Sequence, residues 1–362
     1  MAVTALGPVD DSVVTDWVRD AYGLHLSTIE QVGHGSDVAA RTWRGATADC
    51  DQYAVQVTGV GVPGGPEVLV QLSALGVRGA PAPVLSSEGR PWAERSESRL
   101  SVARWLSGSR AVEGGMTQGH WRAFGALLAE VHAVTPSAAV VAAAGVEDHD
   151  PERHRRLLRD VQDRVREMHP PIGFGNDFDQ LVLTLVRGWS VVAHLLSALE
   201  RHTTALGESL RDRPAQQVLC HGDPHLGNLL HEGADVVSLV DWDDVVLAPR
   251  ERDFMFLRGG VLAALPVTAE REAWFMQGYG PVELDPARLA YHPCARAFED
   301  LAGPAAQVLD AGSWSLAERQ AALAVAPGVM SPTGLVRRDV RAARAVETAS
   351  SSMRPRSSSA PG

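Results

Sequence analysis

Residues Val218 to Asp244 read "VLCHGDPHLGNLLHEGADVVSLVDWDD". Two apolar runs carry two polar knots, "HGDPHLGN" and "DWDD", and the stretch holds five Asp and three His. His221, Asp223, His225, His231, Asp235, Asp241, Asp243 and Asp244 therefore crowd beside strands that read as buried. Carboxylates held close together repel unless a cation or a proton lies between them. The segments "NLLH" and "DVVSLVD" flank the turn signal "EGA" and predict a β-hairpin. With its turn centred between Ala234 and Asp235, the hairpin sets Asn228 opposite Asp241. An amide oxygen and a carboxylate at the open end of a hairpin are hard oxygen donors, which suit Mg²⁺ sharing its shell with substrate phosphates.

Asp223 precedes Asn228 by five residues, in a loop stiffened by Pro224 and loosened by Gly222 and Gly227. Protein kinases use the same order: a His, an Asp two residues on, an Asn five beyond that, and a second metal-binding Asp downstream. "HGDPHLGN" followed by "LVDWDD" resembles the catalytic motifs of the aminoglycoside phosphotransferase family, small-molecule kinases with a protein-kinase-like fold. The continuation "DWDDVVLAPRERDFMF" is most similar to the spectinomycin phosphotransferase branch of that family. The resemblance is specific over residues 218–256 and extends to most of the chain as an order of elements.

That resemblance implies an α+β, bilobal fold with a β-rich N-terminal lobe and a mainly helical C-terminal lobe. Asp223 would be the catalytic aspartate and His221 would brace its loop. Asn228 and Asp241 would hold Mg²⁺ on the phosphates of ATP, and Asp243 would shape the site. Asp253 would lock an Arg or backbone groups near the loop. "GHGSD" would bring the backbone N–H groups of Gly33, Gly35 and Ser36 to the phosphates. "VARWLSG" would receive adenine near Ala103 and Trp105, and Glu67 would be the helix glutamate that pairs with a strand lysine. At that strand position, in "YAVQV", this chain has Gln56. All 33 basic residues are Arg, so no lysine replaces it; Arg41 and Arg44 on the neighbouring strand are candidates to supply the charge. Glu299 and Asp300, in "ARAFEDLAG", would meet an amine-bearing substrate.

The rest of the sequence bounds these readings. With 362 residues, 45% of them hydrophobic, the chain can bury two lobes. The pattern is β-rich over 1–107 and helical over 108–347, and the Ser/Pro/Gly-rich residues 348–362 read as a disordered tail. A helix capped by Asp11 or Ser12 and stopped by Gly23 is expected at the start, and a helix opening at Pro66 is expected before the strand "RLSVARWL". The net charge of −11 disfavours nucleic acid and suits a cationic small molecule. No apolar run reads as a membrane span and no signal peptide is read, so a cytoplasmic protein is expected. Cys50, Cys220 and Cys294 read as reduced thiols.

The expected function is ATP-dependent phosphorylation of a hydroxyl on an aminocyclitol or aminoglycoside antibiotic, such as spectinomycin. Alternatives are a kinase of a metabolic alcohol (choline, homoserine or a sugar), or a pseudokinase, the latter motivated by Gln56. A zinc hydrolase using His221, His225, Asp241 and Asp243 is disfavoured, because Gly222 and Pro224 oppose the helix that would align both imidazoles.

Overall fold

The structure is a computed structural model, described over residues 9–32, 40–59, 64–167, 177–258, 267–310, 312, 314–330 and 343. The glycine-loop residues Gly33, Gly35 and Ser36 lie outside the described residues, as does the tail 348–362.

Helix α1 (Asp11–Tyr22) is capped by Asp10, one residue before the expected pair, because the Asp10 carboxylate accepts from the Ser12 backbone N–H. It stops at Gly23, whose φ of 66° suits glycine. Strands β1 (Leu26–Gln31), β2 (Ala40–Thr47) and β3 (Gln52–Gly59) follow, then helix α2 (Gly65–Ala74) with Pro66 in its first turn. Strands β4 (Pro83–Val84), β5 (Trp92–Arg95) and β6 (Ser98–Arg104) complete an antiparallel sheet in the order β1-β2-β3-β6-β4, with β5 also on β6.

Alternation along these strands divides the sheet into two faces. Trp43, Tyr53, Val55, Val57, Leu100 and Val102 point to one face and pack on Val14, Trp17 and Val18 of α1. Their neighbours Thr42, Ala54, Gln56, Thr58 and Ser101 therefore belong to the other face.

Strand β7 (Ser109–Arg110), a 3-10 turn, helices α3 (Gln118–His132) and α4 (Ala138–Ala143), and strand β8 (Gly145–Val146) come next. Helices α5 (Glu152–Glu167) and α6 (Asp177–Arg211) lead to strands β9 (Val218–Cys220), β10 (Leu229–Glu232), β11 (Val236–Leu239) and β12 (Val246–Ala248). Helices α7 (Glu251–Arg258), α8 (Ala269–Tyr279), α9 (Pro286–Leu309) and α10 (Leu316–Met330) close the described chain. The fold is thus α+β, β-rich toward the N-terminus and mainly helical beyond it, as expected.

Two small sheets carry the polar knots. One has the order β11-β10-β7 and the other β8-β12-β9, with β8 parallel to β12. The hairpin register differs from expectation by one residue. Leu229 pairs with Leu239 and Glu232 with Val236, so Asn228 faces Val240 rather than Asp241. The turn centres on Ala234, and Gly233 adopts a φ of 60° there.

The chain forms two compact units. One comprises Met1–Val146, Gln217–Phe256 and Val267–Val282; the other comprises Glu147–Gln216, Leu257–Pro266 and Glu283–Gly362. The core of the second is built by α5, α6, α9 and α10, around Leu158, Leu185, Trp189, Leu196, Tyr291 and Phe298. Helix α6 contains one stretch, Gln180–Arg211, long and apolar enough to cross a membrane. This departs from the expectation that no apolar run has membrane length; Leu196 and Leu199 of this helix are fully buried in the helical core.

Candidate active site

The site is assembled in the first unit, and its base is a buried carboxylate. Asp253, on α7, is fully buried. Its Oδ2 accepts from the backbone N–H of His221 at 2.9 Å, and its Oδ1 from that of Gly222 at 2.8 Å. His132, at the end of α3, places Nε2 2.9 Å from Oδ2 of Asp253 and Nδ1 2.8 Å from the Tyr279 hydroxyl. The Asp253 carboxylate can only accept, so His132 donates to it from Nε2, and burial pushes the Tyr279 hydroxyl up to about 12, which keeps its proton available to Nδ1. Burial alone would raise the Asp253 carboxyl. The His132 hydrogen bond, the nearby His132 and His221 rings and the Gly222 N–H outweigh it and hold the group below its usual range.

Cys220 lies in the same cluster, close enough for His132, Cys220 and Asp253 to suggest a metal site. Burial raises the Cys220 thiol well above its ordinary value, and its Sγ lies 3.7 Å from the carbonyls of Ala248 and Pro249. The cluster is a hydrogen-bonded anchor for the loop. It delivers the expected role of Asp253, with backbone groups rather than an Arg as its partners.

From that anchor the loop turns through Gly222, at φ 87°. A Cβ there would sit 1.9 Å from the Asp244 carbonyl oxygen, so only glycine fits. His221 is fully buried. Its Nε2 donates to the Val240 carbonyl at 3.1 Å, while Nδ1 accepts from the Asp223 N–H at 3.3 Å. Both contacts need the same neutral tautomer, and desolvation lowers the His221 pKa accordingly. The ring thus ties the Asp223 loop to the chain entering "DWDD".

Asp223 itself is nearly buried, and its carbonyl accepts from Asn228 Nδ2 at 3.0 Å. A carbonyl can only accept, so the Asn228 amide has one orientation, with Oδ1 turned away from that bond. The kinase resemblance gives His225 no role. Its Nδ1 accepts from the Gly227 N–H at 2.9 Å, and its Nε2 lies 3.6 Å from Asp223 Oδ2. No signal in the sequence separates His225 from a packing residue; only the turn of the loop brings it to Asp223.

Beyond β11 the backbone bends sharply. The Val240 N–H donates to the Asn228 carbonyl at 2.9 Å, and the next residue, Asp241, is exposed with a φ of 66°. A non-glycine residue held there costs about 1–3 kcal/mol, and such positions cluster at functional sites. Asn228 Oδ1 and the Asp241 carboxylate are oxygen donors on adjoining chain segments, a set suited to Mg²⁺.

Asp243 points toward the sheet, where its Oδ2 accepts from Gln56 Nε2 at 2.7 Å. Glu67, Thr58, Arg99, Ser101 and Trp92 line the same cavity. Helix α2 brings Glu67 there by pressing its first residue, Gly65, against the Trp242 carbonyl; a Cβ would come within 2.6 Å. Burial raises the Glu67 carboxyl, opposed by its own backbone N–H and by the positive charge of Arg99.

The two arginines expected to replace the strand lysine are placed otherwise. Arg41 pairs with Val57, on the face that packs on α1, and so is directed away from Gln56. Arg44 shares the Gln56 face, but it donates to Gln52 Oε1 at 2.7 Å and lies over the Trp105 ring at 5.0 Å. Ala103 pairs with Ala54 on one side and Pro83 on the other, and the Trp105 N–H donates to the Gln52 carbonyl. Glu299 and Asp300 lie on α9 in the second unit, where Asp300 accepts from Arg296 Nε at 2.8 Å.

Solved structures share this fold. The solved structure of a spectinomycin phosphotransferase with ADP and spectinomycin is similar to the chain with a TM-score of 0.76 at 19% identity, covering 93% of this chain and 99% of that one. An amicoumacin kinase with AMP-PNP and Ca²⁺ gives 0.60 at 15% identity, covering 90% and 95%. An aminoglycoside phosphotransferase from Alicyclobacillus acidocaldarius gives 0.50 at 16%, covering 95% and 98%. No curated protein matches the chain. At these identities the likeness establishes the fold. The model of the phosphotransferase enzyme family matches residues 67–292, well over half of the chain, from the α2 glutamate through the "HGDPHLGN" loop and into α9. This chain belongs to the phosphotransferase enzyme family.

Proposed function

We propose that the protein transfers the γ-phosphoryl group of ATP to a hydroxyl of an aminocyclitol antibiotic, with spectinomycin as the first candidate. The observation that carries this reading is the catalytic loop: Asp223 nearly buried, Asn228 locked by one hydrogen bond, and Asp241 beside it in a strained backbone conformation. The nucleotides in the similar structures support ATP as donor, and the spectinomycin in one of them supports the substrate.

In this reading Asp223 orients the substrate hydroxyl and accepts its proton, with His225 Nε2 beside the carboxylate. His221 acts as a positioning residue, holding Asp223 through its backbone. Asn228 Oδ1 and Asp241 would hold Mg²⁺, which supplies charge neutralisation on the phosphates. Gln56, Glu67 and Asp243 line the phosphate side, Gly33, Gly35 and Ser36 would cover it, and adenine would lie along Ala103 and Trp105. Residues 1–107 would serve as the nucleotide lobe and 108–347 as the catalytic and substrate lobe. Glu299 and Asp300 are candidate partners for substrate amines, in line with the net charge of −11 and a cytoplasmic enzyme.

Mass spectrometry of spectinomycin after incubation with the protein and Mg-ATP tests this. A gain of one phosphate on the antibiotic supports it. Transfer to choline, homoserine or a sugar instead would keep the chemistry and replace the substrate. Nucleotide binding without transfer to any alcohol would identify a pseudokinase.

A further inference from the structure

We propose that Arg99, on β6, supplies the positive charge toward the ATP phosphates that Gln56 does not carry. The inference rests on the kinase reading above and concerns how this chain works without a lysine.

Register places Arg99 with Gln56. In the β3–β6 ladder Ser101 lies opposite Gln56 and Arg99 opposite Thr58, so all four side chains share the face away from α1. Arg99 then lines one cavity with Gln56, Glu67 and Asp243. Its charge is felt there, since it pulls against the upward shift of the Glu67 carboxyl. The remaining cations on these strands are engaged elsewhere. Arg41 is on the opposite face, Arg44 is held by Gln52 and Trp105, and Arg104 pairs with Asp51 over the Tyr53 ring.

The guanidinium is also held in place. Glu94 lies directly opposite Arg99 in the β5–β6 ladder and accepts from its Nε at 2.9 Å, while the Trp92 ring lies 4.9 Å from Cζ. Those contacts occupy Nε and one face of the plane. Among the described residues the Nη groups make no hydrogen bond. A planar guanidinium that lines a cavity with Glu67 and Asp243 suits bidentate binding of a phosphate oxygen pair. Anchoring at Nε reduces the side-chain freedom lost when phosphate binds.

The plain alternative is a hairpin ion pair, Arg99 with Glu94, that only stabilises the sheet. Titration calorimetry with ADP and with adenosine separates the two, on the parent, Arg99→Gln, Glu94→Ala and the double variant Arg99→Gln, Gln56→Lys. Adenosine lacks the phosphates and serves as the internal control for a folded site. Loss of a charge-assisted hydrogen bond to phosphate should weaken ADP about 10- to 100-fold in Arg99→Gln, with adenosine unchanged. Glu94→Ala should keep ADP affinity within about threefold, because the charge remains. The double variant should recover most of the loss, since a lysine at position 56 returns the charge to the same face. Equal ADP affinity in parent and Arg99→Gln overturns the proposal, as does an equal loss in Arg99→Gln and Glu94→Ala. A parent that binds neither ADP nor adenosine overturns the kinase reading itself, and this proposal with it.

Discussion

Replacing Asp253 by Asn tests whether one buried carboxylate holds the "HGDPHLGN" loop. The carboxylate receives three donors: the N–H groups of His221 and Gly222, and His132 Nε2. Asn keeps the shape but turns one oxygen into an NH₂ group. If that group takes the Oδ1 position, it faces the Gly222 N–H. If it takes the Oδ2 position, it faces the His221 N–H, whatever tautomer His132 adopts. Either way one buried N–H loses its acceptor, at about 1–3 kcal/mol. The remaining bonds lose their charge assistance, so the total should be about 2–4 kcal/mol. Urea unfolding followed by tryptophan fluorescence should show a lower midpoint, and turnover should fall as Asp223 loses its fixed position. The pH dependence carries a second signature. The Asp253 pKa is depressed in the fold, so its contribution is fully present above the unfolded value of about 3.9 and is lost as pH falls through the lower folded value. Below about pH 4, the Asn variant should therefore lose stability less steeply than the parent. An unchanged urea midpoint at neutral pH, with an unchanged acid limb, would refute the role given to Asp253.

Further outcomes follow from the same geometry. Asp223→Asn should reduce turnover by at least about 100-fold with little change in melting temperature, measured by coupled ADP release and by scanning calorimetry. Asp241→Asn should abolish Mg²⁺-supported turnover, so a metal titration matching the parent's would move the metal elsewhere. Gly222→Ala should destabilise the protein by about 3 kcal/mol, from overpacking against the Asp244 carbonyl and a positive φ, read by urea unfolding. Glu67→Gln should become increasingly stabilising as pH rises from the unfolded carboxyl value of about 4.3 to the raised folded one, and level off above it, because the folded group resists ionisation over that window; melting temperatures across pH would show the change.

The legible part of the site was the part written locally. Asp223, Gly222, Pro224 and Asn228 lie within one loop, where spacing and turn chemistry suffice to set geometry. The hairpin was legible too, but its register slipped by one residue because Gly233 enters the left-handed region and moves the turn centre to Ala234. What could not be read were pairs made by tertiary packing. His132 and Asp253 are 121 residues apart, and Gln56 and Asp243 are 187 apart. Arg99 was hidden for a simpler reason. It sits in a strand noted only for its adenine-side residues, and nothing in "SRLSVAR" says which face an alternating arginine will take until the β3–β6 register is known.

The small sheet that joins β8 to β12 and β9 sets a schedule for biosynthesis. Gly145 and Val146 pair in parallel with Val246 and Leu247, about a hundred residues later in the chain. At a ribosomal rate of roughly 5–20 residues per second, β8 waits about 5–20 s before its partner has been made. Strand β7 waits longer still for Leu230 and His231 than any hairpin strand does for its neighbour. During that interval the nascent chain exposes unpaired strand edges, which are templates for association with other chains. The β10–β11 hairpin and β12 thus complete sheets whose first strands, β7 and β8, were synthesised long before them. Yield in a cell should accordingly depend on translation speed and chaperone supply more than the stability of the finished enzyme would suggest.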